Sequence, residues 1–259
     1  STLIRDVIHN NTDLSWQRLL VYPLITLSPS EANDSSLTSS IKRKIDNFES
    51  VNELPRLPVN SAKDTRDASS NKADHLKRSV DAKLAEFNIR GAVRLLSSSS
   101  TVVTPDANNL RILQGKHPAA PDNFNLPSAP QRKMHLISPK DIREALKSFP
   151  NGSGSGPDGL RPQHLKDATS TTAGDAGLDL LENLAKLASH ILSSGVQASV
   201  RESFYGARLI GLTKPNGDLR PIAIGCTLRR LIAKAALRAN IQTLSTFLSP
   251  TQVGVGTRL

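Results

Sequence analysis

The sequence predicts a mainly α-helical chain that carries one β-hairpin, which places it in the α+β class. Apolar residues recur at helical spacing along both halves of the 259-residue chain. Only one pair of neighbouring β-prone runs flanks a tight-turn signal, and that signal is Asn216-Gly217. The length suffices for one or two domains with a sizeable core.

The N-terminal residues have the pattern of three helices. Residues 1–27 predict two short helices, separated by the turn-prone stretch 10–13. Residues 37–48 predict an amphipathic helix, because four apolar residues fall on one face: Leu37, Ile41, Ile45 and Phe48. The basic triplet at 42–44 lies elsewhere on this helix and is interpreted as a solvated surface.

Long polar connections separate the next predicted helices. Residues 72–96 are predicted to be helical, with a second segment that starts near Asn88, and a short helix is predicted over 106–113. Three stretches are interpreted as loops or linkers: 29–37, 53–71 and the proline-rich 118–130. We therefore interpret residues 1–130 as a helical leader region with polar and Pro-rich linkers.

The second half begins with a clear helix start. Ser138 is the predicted N-cap, Pro139 occupies the first turn and Asp141 completes a pattern like a capping box. A Gly/Ser-rich loop and a short helix starting at Pro162 follow. Long helices are predicted over 178–192 and 227–247.

The predicted hairpin consists of residues 208–213 and 219–224 with a cation at each side of its tip, Lys214 and Arg220. A strict two-residue Asn-Gly turn would pair Lys214 with Leu219 and send the two cations to opposite faces. An odd-length or bulged loop would bring them to one face. Pro215 and Pro221 disfavour a regular tight ladder, so we expect the irregular loop.

Positive charge is concentrated near the hairpin. The net charge is +10, and residues 201–259 contain nine Lys/Arg and two acids, which is +7 of that total. An anionic partner is therefore favoured over a generic basic surface. Because aromatic residues make up only 3% of the chain, contacts with a nucleic-acid backbone would dominate over base stacking.

The predicted last helix carries Arg230, Lys234 and Arg238 at i, i+4 and i+8, which forms one cationic ridge. Contact with template or substrate phosphates and an ordinary solvated face are equally good interpretations of this ridge. Asp158 is interpreted as a turn or capping carboxylate. His164 and His190 have no second ligand at a useful spacing, and Asp179 with Glu182 is better explained as a solvated helix face than as a metal pair.

The composition also bears on the cellular compartment of the protein. The single cysteine, Cys226, excludes an internal disulfide and a cysteine-based zinc site, and it points to a reducing, intracellular compartment. No run approaches the ~18 apolar residues of a membrane span. Residue 1 is Ser and the only methionine is Met134, so we expect a processed chain or, preferably, a fragment.

Three segments in order resemble reverse transcriptases of non-long-terminal-repeat retrotransposons and group II introns. Residues 212–217 (Leu-Thr-Lys-Pro-Asn-Gly) followed by 219–222 (Leu-Arg-Pro-Ile) resemble the fingers hairpin of that family. Residues 156–160 (Gly-Pro-Asp-Gly-Leu) look like its upstream Gly-x-Asp-Gly segment, and 250–256 look like its Gln-x-Gly segment. The resemblance covers somewhat under half of the chain. It implies that residues 131–259 are the N-terminal, fingers portion of a right-hand polymerase domain.

The resemblance implies a nucleotide site without its catalytic centre. Lys214 would lie near the γ-phosphate and Arg220 near the α- or β-phosphate of an incoming deoxynucleotide triphosphate. Candidate contacts to RNA template and nascent DNA are Arg208, Arg230, Lys234 and Arg238. The family's catalytic aspartates, which hold Mg²⁺, lie beyond the Gln-x-Gly segment, and no Asp-Asp pair occurs here. We expect no catalytic or metal residues in this chain and Mg²⁺ only in the complete polymerase, with its palm and thumb.

Two other functions remain open from the residues. The chain could be a non-catalytic RNA-binding or assembly module derived from a mobile element. It could also be a decayed fragment without function.

Overall fold

The structure is a computed structural model that describes residues 1–28, 36–49, 72–97, 102–103, 106–117 and 136–251. Within these ranges the chain is mainly helical and contains one two-stranded antiparallel hairpin, which confirms the predicted α+β class. The helices are α1 Thr2–Asn10, α2 Asp13–Thr26, α3 Leu37–Glu49, α4 Lys72–Ala85, α5 Ile89–Ser97, α6 Ala107–Gly115, α7 Pro139–Lys147, α8 Pro162–Ala168, α9 Gly174–Ser194, α10 Arg201–Tyr205 and α11 Thr227–Leu248. The strands are β1 Ala207–Thr213 and β2 Leu219–Gly225, and short 3-10 helices cover Thr171–Ala173 and Ala198–Val200.

The helix boundaries follow local sequence signals. Thr12 caps α2 in a capping box with Ser15, and Ser138 caps α7 in a capping box with Asp141. α9 ends at Gly195, as predicted, and the predicted break near Asn88 separates α4 from α5. The predicted linkers at 53–71 and 118–130 lie outside the described residues, as do most of the loop at 29–37 and most of the Gln-x-Gly segment.

One buried apolar cluster joins the two parts of the chain. It includes Val7 and Trp16 from the predicted leader region, together with Ile142, Leu187 and Leu231 from the second half. α9 contacts both α1 and α7, and α7 in turn contacts α11. The division at residue 130 stays a prediction, but helices on both sides of it bury their apolar faces in the same core.

The hairpin lies at the edge of this core. Its base leads directly into α11, because Gly225 ends β2 and Thr227 begins the helix. On the other edge of β1, Val102 forms an isolated antiparallel bridge with Leu212. The core therefore holds the base of the hairpin, while its tip projects away from the base along two seven-residue strands.

Candidate phosphate-binding hairpin

The hairpin closes through an odd-length loop. Thr213 lies opposite Leu219, and the next pair is Lys214 with Asp218, whose backbone oxygen accepts from the Lys214 N–H at 2.7 Å. The Gly217 N–H donates to the Lys214 carbonyl at 2.9 Å, and Gly217 has a φ of 80°. This is a three-residue connection in which glycine occupies the left-handed position, because other residues are strained there.

This register places the two tip cations on one face of the hairpin. Arg220 lies opposite Leu212, and Lys214 is two residues beyond Leu212 along the same strand. Because side chains alternate between faces with a period of two, Lys214 and Arg220 share a face. Of the two irregular forms expected, bulged or odd-length, the loop takes the odd-length form, and the strict two-residue turn is not formed. Arg208, opposite Ile224, belongs to the same face further from the tip.

The opposite face of the hairpin is covered by α6 and the short segment before it. The Val103 N–H donates to the Gly211 carbonyl at 3.0 Å. A methyl group built on Gly211 would lie 2.5 Å from Val103 Cγ2 and 3.5 Å from Leu113 Cδ1. Glycine at 211 therefore allows a close approach that leaves the cationic face turned away from α6.

A carboxylate lies among the tip cations. Asp218 accepts from Lys214 Nζ at 2.7 Å and forms an ion pair with Lys116 Nζ at 2.9 Å. The hydrogen bond from Lys214 is the main reason why the pKa of Asp218 lies well below its usual range, and Lys116 and the Leu219 N–H act in the same direction. Lys116 was not among the sequence-predicted site residues, because it lies 102 residues before Asp218.

The two arginines of this face are exposed. Neither Arg208 nor Arg220 has an ion-pair partner within the described ranges, and both side chains lie in the exposed class. Exposed guanidinium groups suit bidentate contacts with phosphate oxygens. Their charge is therefore accessible to an anion in solution.

Arg230 points into the protein. Its guanidinium donates to the Gly154 carbonyl at 2.6 Å and to Thr227 Oγ1 at 2.9 Å, and it lies 5.6 Å from the centre of the Phe149 ring. Burial lowers its pKa from the usual arginine value, although a nearby carboxylate, Asp158, opposes that effect. The side chain therefore connects α11 to the loop at 151–156.

The remaining members of the cationic ridge face α7. Lys234 Nζ lies 4.9 Å from the centre of the Phe149 ring, and Arg238 lies 4.0 Å from Glu144 Oε2 with 51% of its side chain exposed. The side chains of the ridge are thus partly engaged in contacts within the protein, and the ridge is not a freely solvated face. Contact of Arg230, Lys234 or Arg238 with nucleic acid stays a prediction. Arg238 is the most exposed of these three residues.

Asp158 forms a buried polar contact beneath the hairpin. It is 3% exposed, and its Oδ2 accepts from the thiol of Cys226, with 3.3 Å between sulfur and oxygen. Burial raises the pKa of Asp158, and it also raises the pKa of Cys226 to about 12. The expected turn position is observed, since the Gly159 N–H donates to the Gly156 carbonyl. The contact with Cys226 was not predicted, because it joins residues that are far apart in the sequence.

Other sequence candidates occupy surface contacts. Asp179 pairs with Arg5 at 3.3 Å and Glu182 with Lys186 at 4.0 Å, so each carboxylate has its own cation. In the described ranges, no group of three or more His, Cys, Asp or Glu residues could hold a metal ion. No helix in that same part of the chain combines the length and apolar character that crossing a membrane requires.

Comparisons with protein-family models, with curated proteins and with solved structures found no significant match. The resemblance to reverse transcriptases therefore depends on the chain's own motifs.

Proposed function

We propose that this chain supplies the nucleotide-triphosphate and template contacts of a retrotransposon RNA-directed DNA polymerase, as part of its fingers. The observation that carries the proposal is the hairpin register, which puts Lys214 and Arg220 on one face. A triphosphate spans several ångströms and carries charge on each phosphate, so it is best neutralised by cations spaced along one surface. An exposed hairpin with cations on a single face provides such spacing.

The chemical contribution of these residues would be positioning. Cations that fix the phosphates lower the entropy cost of aligning the α-phosphate with an attacking hydroxyl and stabilise the charge that develops on the leaving group. In a polymerase the bond-forming step is supplied by aspartate-bound Mg²⁺. The described residues do not fit such a metal site, and no Asp-Asp pair occurs in the sequence, so we propose that these 259 residues do not polymerise alone.

A polymerase assay tests the last point. The chain is incubated with poly-adenylate template, oligo-thymidylate primer, Mg²⁺ and labelled dTTP, and incorporation is measured. We expect no incorporation above background. Robust incorporation by the purified chain would refute the proposal that these residues do not polymerise alone.

Binding assays test the hairpin itself. We expect the wild-type chain to bind dTTP and single-stranded RNA, and Lys214→Glu with Arg220→Glu to weaken dTTP binding at least tenfold, because two attractive charges become repulsive. The matched control is Arg90→Glu with Arg94→Glu, an equal charge change at two exposed residues of α5. Equal losses in both double variants would mean that only net charge matters and would overturn the site.

The pattern of losses separates the alternatives. Loss of dTTP binding with little change in RNA binding supports the polymerase proposal. Loss of RNA binding alone supports a non-catalytic RNA-binding or assembly module derived from a mobile element. Absence of both activities in the folded wild-type chain supports a decayed fragment.

A further inference from the structure

The tip of the hairpin already contains an occupied anion site. The carboxylate of Asp218 receives Lys214 Nζ at 2.7 Å, Lys116 Nζ at 2.9 Å and the Leu219 N–H at 2.7 Å. Two ammonium groups and one backbone N–H around a single anionic group make the donor set that binds a phosphate in many proteins. Here the anion that occupies the donor set belongs to the chain itself.

Packing holds Lys116 at this position. It follows the end of α6, whose Leu113 is buried against Gly211 on the far face of the hairpin. Asp106 caps the start of the same helix by accepting from the Asn109 N–H at 2.7 Å. A helix C-terminus carries partial negative charge, so a lysine there is favourable. Lys116 is thus brought to the tip by a capped, packed helix from the predicted leader region.

The three side chains remain within reach of solvent. The exposed fractions are 32% for Lys116, 34% for Lys214 and 36% for Asp218. A ligand can therefore approach the ammonium groups without unfolding the hairpin. The ion pairs at this exposure are weak enough to exchange, because water screens them.

We propose that Lys116 is a third cation of the triphosphate site and that Asp218 is an internal competitor, which holds both lysines until a nucleotide phosphate displaces it. This inference rests on the proposed function and states how nucleotide binding at the site is regulated by Asp218. A triphosphate has more negative charge and more acceptor oxygens than a carboxylate, so its terminal phosphate can engage both lysines while an inner phosphate engages Arg220. Asp218 would then set the threshold concentration for binding and disfavour weakly charged anions.

Nucleotide titrations of the full chain test the inference. Binding of dTTP, and separately of inorganic tripolyphosphate, is measured for wild type, Asp218→Asn, Asp218→Ser and Lys116→Ala. Removing the competing carboxylate should tighten dTTP binding roughly tenfold, because a like charge close to the phosphates is lost. Lys116→Ala should weaken it by a factor of about 3 to 10. Lys186→Ala, which removes a lysine paired with Glu182 on α9, should leave binding unchanged.

The outcomes distinguish this inference from the proposed function. If Asp218→Asn and Asp218→Ser both weaken dTTP binding while the folded wild type binds, Asp218 positions the lysines and the competitor role is overturned. If Lys116→Ala behaves like Lys186→Ala, Lys116 is not part of the site. If neither the wild type nor any Asp218 variant binds dTTP, the proposed function fails and this inference with it. Tighter dTTP binding by both Asp218 variants than by the wild type, together with weaker binding by Lys116→Ala, would support the inference.

Discussion

The thiol of Cys226 donates a hydrogen bond to the carboxylate of Asp158 across 68 residues of sequence, with 3.3 Å between Sγ and Oδ2. Next to this pair, the Thr227 hydroxyl donates to the Leu160 carbonyl, and a methyl group on Gly156 would lie 2.6 Å from the Gly225 carbonyl oxygen. The turn at 156–160 is therefore fixed against the junction of β2 and α11. Because that junction carries the hairpin, these contacts orient the candidate phosphate-binding surface.

The buried carboxylate predicts a distinctive pH dependence of stability. Burial raises the pKa of Asp158 in the folded state above its unfolded value, so its stabilising contribution is present at low pH and is lost as the pH rises through the folded pKa. We expect the melting temperature of Asp158→Asn, relative to wild type, to be higher at pH 7.5 than at pH 4, close to the ordinary pKa of an aspartate. Thermal unfolding of both proteins at the two pH values checks this, and a relative melting temperature that falls with rising pH would contradict it.

Cys226 should be unreactive in the folded protein. It is 1% exposed and burial raises its pKa to about 12, so both access and the thiolate fraction are very small at pH 8. We expect iodoacetamide to modify it at least a hundredfold more slowly in buffer than in 6 M urea, as measured by mass spectrometry. Rapid labelling of the native chain would show that the contact with Asp158 opens readily.

Arg230 and Arg238 should differ in their effects on stability. Arg230 has two hydrogen bonds to protein oxygens and lies against Phe149, whereas Arg238 has one distant ion pair with Glu144. Hydrogen bonds of a charged group are worth about 1.5 to 3 kcal/mol, and an exposed ion pair about 0 to 1 kcal/mol. We expect Arg230→Ala to lower the free energy of unfolding by about 2 kcal/mol and Arg238→Ala by less than about 0.5 kcal/mol.

Urea unfolding of the two variants measures this difference. A similar small effect of both substitutions would mean that Arg230 is free to leave its buried contacts. It could then reach a ligand as readily as Arg238.

The turn glycine of the hairpin can be tested against a matched position. Gly217 has a φ of 80°, whereas Gly115 is the last residue of helix α6. At both sites a methyl group would meet nothing within 4 Å. Neither substitution by alanine creates a steric clash, so backbone strain is expected only for Gly217→Ala. We expect Gly217→Ala to cost about 1 to 2 kcal/mol and Gly115→Ala to be neutral or slightly stabilising. Equal unfolding midpoints would argue against the left-handed turn.

The close approach at Gly211 predicts a coupled pair of substitutions. A methyl group at 211 would lie 2.5 Å from Val103 Cγ2, so Gly211→Ala should destabilise the protein by about 1 to 3 kcal/mol through overcrowding. Val103→Ala removes the obstructing methyl group. We therefore expect the double variant to lose less stability than the sum of the two single variants, and a double-mutant cycle measures the coupling. Strict additivity would place Val103 away from Gly211.

Local sequence signals predicted much of the fold. The capping box at Ser138 and Asp141, the helix end at Gly195 and the hairpin around Asn216-Gly217 depend on residues within a few positions of one another. Caps and turns depend on the backbone geometry and side chains of neighbouring residues, so they can be predicted from a single sequence. The two prolines predicted an irregular loop, which is observed, but also an irregular ladder, which is wrong, because the two strands pair in one regular register through Pro221.

Contacts between distant segments could not be predicted in this way. The spacing of Arg230, Lys234 and Arg238 correctly implies one helix face, but only tertiary packing determines that this face meets Phe149 and α7. Likewise, nothing in the sequence indicates that Lys116 reaches Asp218. Long polar connections separate these segments, and their length leaves the relative placement of the helices open.

Pro221 has a consequence for how copies of this protein meet one another. It lies opposite Gly211, whose carbonyl points away from β2 and accepts from the Val103 N–H. Gly211 and Pro221 therefore form a pair that exchanges no ladder hydrogen bonds. The position of the N–H that proline lacks is thus on the outer edge of β2. No strand of the described ranges pairs with that edge. The middle of the outer edge of β2 therefore lacks one backbone N–H donor that a strand from a second molecule would need for pairing. The proline thus disfavours edge-to-edge pairing of the hairpin at this position.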